Sequence, residues 1–167
     1  MKRLLTTAAL LCAAAAAPCT QAATINVTGR VVAGTCTFQA PTLPALAPLK
    51  ASDLVPGGIA GTQLSTLEFT NCTDVGFIDL TFTGMADAAQ DGNWQNTATA
   101  TPATGVAVAL LYGGSGTDYV KNTDTRTLTV SGDTASTQFR YGYYATVPAS
   151  ATAGTVSAMI TVTTTYR

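Results

Sequence analysis

Histidine is absent from the 167 residues, and charge is scarce: 10% of the chain, with 8 Lys and Arg against 9 Asp and Glu. Without an imidazole there is no Ser/His/Asp or Cys/His nucleophilic arrangement and no His-containing zinc site. A charged share far below the ~25% of ordinary soluble domains excludes the basic footprint of a nucleic-acid binder and the charge excess of a disordered chain. Carboxylates remain, among them Glu68, Asp74, Asp79 and Asp87. A glycosidase needs two of them facing one cleft, whereas Glu68 and Asp79 fall at outward positions of alternating segments and the others in loops. No carboxylate cluster has calcium-loop spacing. The sequence predicts a non-enzymatic chain with no catalytic residue, cofactor or metal. Apolar runs are short as well: Leu4–Ala17 falls below the ~20 residues that span a membrane.

That short run nevertheless has an order. Lys2 and Arg3 precede it, and small and polar residues follow through Thr20 and Ala22, the arrangement of a secretory signal peptide. Residues 1–22 are expected to be a cleaved leader, with Ala23 the first mature residue. Losing Lys2 and Arg3 leaves a mildly acidic chain. Cys12 and Cys19 leave with the leader, and only Cys36 and Cys72 remain. In an oxidising compartment, two cysteines in one exported domain are most simply a disulfide. A reactive thiol has no His or basic cluster here to lower its pKa.

Thr, Val, Ala and Gly dominate the rest, and apolar residues recur at every second position, which is strand spacing. The runs are Ile25 to Ala33, Leu67 to Cys72, Phe77 to Phe82, Val106 to Leu110, Leu128 to Val130, Phe139 to Ala145 and Val156 to Tyr166. Turn chemistry separates them at Pro56-Gly57-Gly58, Asp91-Gly92-Asn93, Gly113-Gly114-Ser115-Gly116 and Ser131-Gly132-Asp133. About seven short strands with no amphipathic helix predict an antiparallel sandwich. Only the Ala-rich stretches near Pro44 to Asp53 and Met85 to Gln90 suit a helical turn. Trp94 is expected in a polar loop, Gly92-Asn93-Trp94-Gln95-Asn96, read as a ring folded onto the end of the sandwich; the sharper reading is an exposed contact or sugar-stacking platform.

The first run begins almost at the cleavage site, with Gly29 in the middle of its apolar face. Glycine within a strand weakens it and marks a place where another backbone or side chain approaches closely. Such a strand suits a partner better than its own domain.

These segments together resemble subunits of type 1 chaperone-usher pili (fimbriae), most of all the major shaft subunit. The resemblance rests on Ile-Asn-Val-Thr-Gly-Arg-Val-Val-Ala-Gly-Thr-Cys at 25–36, Leu-Glu-Phe-Thr-Asn-Cys at 67–72 and Thr-Gly-Val-Ala-Val-Ala-Leu-Leu at 104–111. Phe-Arg-Tyr-Gly-Tyr-Tyr-Ala-Thr at 139–146 and the segment from Ala153 to the penultimate Tyr166 and Arg167 complete it. It implies an incomplete immunoglobulin-like β-sandwich, the pilin fold, lacking its last strand and open along an apolar groove. In that family a periplasmic chaperone fills the groove first; then, at the outer-membrane usher, the N-terminal extension of the next subunit replaces it, a strand addition that polymerises the subunits. Residues 23–33 would be the donor extension and 34–167 the pilin domain. Ile25, Val27, Gly29, Val31 and Ala33 would form the donor face. Phe139, Tyr141, Tyr143, Ala145, Ile160, Val162, Tyr166 and Arg167 would supply the acceptor groove and chaperone contact, and Cys36 with Cys72 the family disulfide. The implied partners are chaperone, usher and identical or related pilins, and the implied location is a fimbrium on the bacterial surface. The extension is shorter than that of the type 1 shaft subunit, and Arg167 stands where a neutral last residue is usual. Other readings are a minor or tip-adaptor pilin, an archaic spore-coat-U-like pilin and, from another class, a free secreted carbohydrate-binding sandwich.

Overall fold

A computed structural model describes Thr28, Arg30, residues 34–145 and residues 151–167. Two compact units divide the chain, Met1–Val31 and Val32–Arg167; the fold is that of the second. The leader and all five donor-face positions, Ile25, Val27, Gly29, Val31 and Ala33, lie outside the described residues.

The unit is built of antiparallel strands: β1 (Thr35–Gln39), β2 (Gly58–Thr73), β3 (Phe77–Gly84), β4 (Ala86–Asp87), β5 (Asn93–Trp94), β6 (Ala107–Tyr112), β7 (Asp118–Tyr119), β8 (Thr125–Thr129), β9 (Ala135–Ala145) and β10 (Ile160–Tyr166). They form two sheets, one ordered β1-β2-β9-β6-β5-β4 with β7 also on β6, the other β10-β3-β8. The two Ala-rich stretches each hold a single 3-10 turn, Ala51–Asp53 and Ala88–Gln90.

Alternation explains the core. Ile78, Leu80 and Phe82 of β3 are sealed at 0–1% exposure and meet Leu67, Phe69, Val108, Leu110 and Phe139 of the facing sheet. Phe82 and Tyr112 both pack edge-on to Phe139, with ring centroids 5.4 and 5.6 Å away, the arrangement the ring quadrupole favours. Burial in the middle of the larger sheet exceeds what alternation predicts, because Ala107 to Leu111 are buried on both faces. A second cluster of Ala109, Leu111 and Tyr144, joined by Ile59 and Tyr119, covers the outer face. Within it, Tyr144 donates its hydroxyl to Asp91 at 2.6 Å. That bond and burial push the phenol up to about 12.

Cys36 and Cys72 are joined. They sit at an irregularity in the β1–β2 ladder, where Thr35 faces Thr73 and Thr37 faces Thr70. One residue of β1 thus opposes two of β2, a β-bulge, and Asn71 takes a left-handed φ of 52° there, which Asn tolerates better than most residues. Gly34 enters this corner so closely that a Cβ would lie 2.2 Å from the carbonyl oxygen of Asp74.

Two sequence expectations change. Trp94 is not in a loop: it pairs with Val108 and Ala86, is 0% exposed, and donates Nε1–H to the Val120 carbonyl at 2.9 Å. An exposed sugar platform is thereby excluded. The run from Val156 to Tyr166 is not one strand, since the ladder covers only Ile160–Tyr166. Ahead of it the chain leaves the sheet and is held by Asn96, whose amide donates to Ala103 and Thr155 carbonyls and whose Oδ1 accepts from the Ser157 amide, each at 2.9 Å.

Candidate functional site

Edges decide where such a fold can be extended. β8, one edge of the smaller sheet, is guarded: Arg126 forks to Asp118 at 2.9 Å and reaches Asp124 at 3.4 Å. β10, the other edge, has the sequence Ile-Thr-Val-Thr-Thr-Thr-Tyr, without charge, proline or bulge. Its inner side pairs with β3 from Ile160 opposite Gly84 to Tyr166 opposite Ile78; among the described residues no strand pairs with its outer side. An uncharged free edge is a template for another strand. The inward residues Ile160, Val162, Thr164 and Tyr166 are only half-buried, and Thr161, Thr163 and Thr165 are exposed.

Beside that edge runs an apolar cavity of about 470 Å³. Its floor is core: Leu67, Phe82, Val108, Leu110, Phe139 and Tyr141. One wall is β10 with Val156 and Ala158, and the other is Pro41, Leu43, Pro44 and Leu46. A second cavity of about 240 Å³ adjoins it through Val156 and is lined by Leu49, Leu54, Val106 and Tyr143 among others. The lining of the larger cavity is mainly hydrocarbon, and beside an open ladder it suits a strand with alternating apolar side chains.

The eight acceptor positions named from the sequence fall in three places. Phe139, Tyr141, Ile160 and Val162 line the larger cavity. Tyr143 lines the smaller one, while Ala145 is sealed at 0% against Leu54, Ala103 and Val106. Tyr166 and Arg167 close the far end of β10. The Tyr166 hydroxyl donates to the Cys36 carbonyl at 3.4 Å, and the main-chain oxygen of Arg167 accepts from the amides of Gly76 and Phe77 at 2.7 and 2.8 Å. The Arg167 guanidinium binds Asp79 across the sheet at 2.6 and 2.9 Å and lies 5.7 Å from the Phe77 ring centroid. Arg167, helped by the Thr127 hydroxyl, holds the Asp79 carboxyl down at about 2.

Residues 40–50 were missed as a wall. Their signal is a leucine at every third residue, Leu43, Leu46 and Leu49, in a stretch that also holds Pro41, Pro44 and Pro48, which is the repeat of a polyproline II segment rather than of a strand or helix. Hydroxyls tie this wall down. Ser65 Oγ donates to the Thr42 carbonyl at 3.1 Å, Tyr141 Oη to that of Pro44, and Tyr143 Oη to that of Ala47 at 3.2 Å. Burial pushes the Tyr141 phenol above its ordinary 10.0, so it remains a donor across the neutral range.

No protein-family model matches the sequence, and no curated protein matches it. Solved structures share the fold. A type I fimbria protein and antigen from Burkholderia pseudomallei superposes with a TM-score of 0.61 at 22% identity, over 80% of this chain and 99% of that one. The P pilus rod subunit PapA gives 0.61 at 20% identity, over 79% and 99%. A chain from a chaperone-usher pilus, solved to explain rod uncoiling, gives 0.63 at 20%, over 92% and 100%. The fold is therefore that of pilus subunits, and the free β10 edge with its apolar groove is where it stands open.

Proposed function

We propose that this chain is a structural subunit of a type 1-like bacterial fimbria, assembled by donor-strand exchange through the chaperone-usher pathway and built into the shaft. The observation that carries the reading is the uncharged β10 edge beside an apolar cavity of about 470 Å³. The occupant is residues 25–33 of a second copy. Ile25, Val27, Gly29, Val31 and Ala33 repeat at the two-residue period of a strand face, and the outer edge of β10 offers the ladder they need. A chaperone strand occupies the groove before exchange. Residues 1–22 as leader and the Cys36–Cys72 disulfide suit passage through an oxidising periplasm, and among the described residues no helix is long and apolar enough to cross a membrane. Likeness to rod subunits across nearly the whole of their length supports the same role.

The test is co-expression with the cognate chaperone and usher, read by unheated denaturing gels and electron microscopy. The full chain should give an SDS-resistant ladder and fibres. Deleting residues 23–33 should leave chaperone binding intact and abolish both. Polymer from the deletion variant would sink the reading, and a stable monomer made without any chaperone would favour a free binding sandwich instead.

A further inference from the structure

The two walls of the groove differ in kind. β10 offers main-chain donors and acceptors. Opposite it, Pro41, Pro44 and Pro48 have no N–H to give, and among the described residues no main-chain bond ties residues 40–49 to a strand. Ordering of this wall rests on side chains instead: hydroxyls from β2 and β9 reach the carbonyls of Thr42, Pro44 and Ala47. Leu43 lines the cavity and is still 66% exposed. A leucine in that position gains full burial only when something fills the groove beneath it.

We infer that residues 40–49 are a strap that folds down over the strand occupying the groove, and that Tyr141 and Tyr143 are positioning residues whose hydroxyls set how firmly it is held. The inference rests on the proposed reading of the groove. An incoming strand takes its register from the β10 ladder and its grip from apolar contact with Leu43 and Leu46. Side-chain size is therefore what the strap side reads. Because the strap is held by single hydroxyl bonds rather than a cooperative ladder, it opens without disturbing either sheet, which gives an entering strand a way in and a bound one a way out.

The test uses the full chain refolded around a fluorescent peptide of the sequence 24–34, chased with excess unlabelled peptide, with amide hydrogen exchange followed in parallel. One ordinary hydrogen bond changes an equilibrium about fivefold. Tyr141→Phe and Tyr143→Phe should each speed replacement of the peptide about fivefold and raise exchange in residues 40–49, with β3 amides unmoved. Unchanged replacement in both variants overturns the strap alone. A parallel rise of exchange in β3 also overturns it, because the hydroxyls would then be holding the whole sandwich. A wild-type chain that folds and takes no peptide overturns the reading of the groove itself, a result separable from the other two.

Discussion

β3 and β10 are neighbours, paired residue for residue from Gly84 and Ile160 to Ile78 and Tyr166, and both alternate apolar with polar. Their burial differs sharply. Ile78, Leu80 and Phe82 are 0–1% exposed, while Ile160, Val162 and Tyr166 are only half-buried. Residue type does not explain this, since Ile and Val bury as readily as Leu and Phe. Neighbours do. β3 lies between β8 and β10 over the packed core, whereas β10, among the described residues, has a strand on one side only and looks into the groove. A finished and an unfinished strand in the same sheet are the contrast on which the proposed strand addition rests.

Substitution should sharpen the contrast. Leu80→Ala, in the finished strand, is expected to cost about 3–5 kcal/mol, the upper range for a sealed leucine, read as a fall in the urea midpoint. Replacing Cys36 and Cys72 with Ser comes next, at roughly 3–4 kcal/mol from lost restriction of the unfolded chain. That change should loosen the Tyr166 end of β10, which leans on the Cys36 carbonyl, more than the middle of β3, and hydrogen exchange resolves the two. Val162→Ala, in the unfinished strand, should cost about 1 kcal/mol in the empty chain and about 2 once the peptide 24–34 fills the groove, at ~0.8 kcal/mol per newly buried carbon. If the cost is the same empty and filled, β10 is not the acceptor.

The smallest effect is pH-dependent. In the folded chain Asp79 titrates at about 2 instead of 3.8, held down by Arg167 and Thr127. A depressed carboxyl stabilises the fold above its unfolded value and loses that contribution as pH falls toward its folded value. The stability gap between wild type and Asp79→Asn should be constant above pH ~5, where a free Asp is almost fully ionised, and close as pH falls toward 2. A gap that stays constant across that window would mean the Arg167 pair does not hold the end of β10.

Much of this was legible before any coordinate. Alternation located the cores of β2, β3, β6, β8 and β9, and two cysteines in a chain expected to be exported pointed to their own bond. Phe139, Tyr141, Ile160 and Val162, which the sequence suggests for an acceptor groove, line the larger apolar cavity. Trp94 was harder, because Gly-Asn-Trp-Gln-Asn reads as polar loop, and only the pairing with Val108 and the Val120 carbonyl makes the ring interior. Ala145 and Tyr143 share a face of β9 with Phe139, yet the chain from Ala103 to Val106 and the turn at Leu54 cover that end, which places one in the core and the other in a separate cavity. Val156 and Ala158 continue the alternation of β10 but leave the ladder, because Asn96, some sixty residues earlier in sequence, takes their neighbours' main chain.

The sequence by itself determined the class of fold, the absence of His-based chemistry and the two-residue rhythm of both residues 25–33 and the strand beside the groove, since these follow from local composition and period. Which edge stands open among the described residues, and that its opposite wall is a proline-containing segment tied by hydroxyls, only the tertiary structure decided. An edge is defined by the neighbour a strand does not have, and a cavity by side chains far apart in sequence, so neither is a property of any one segment.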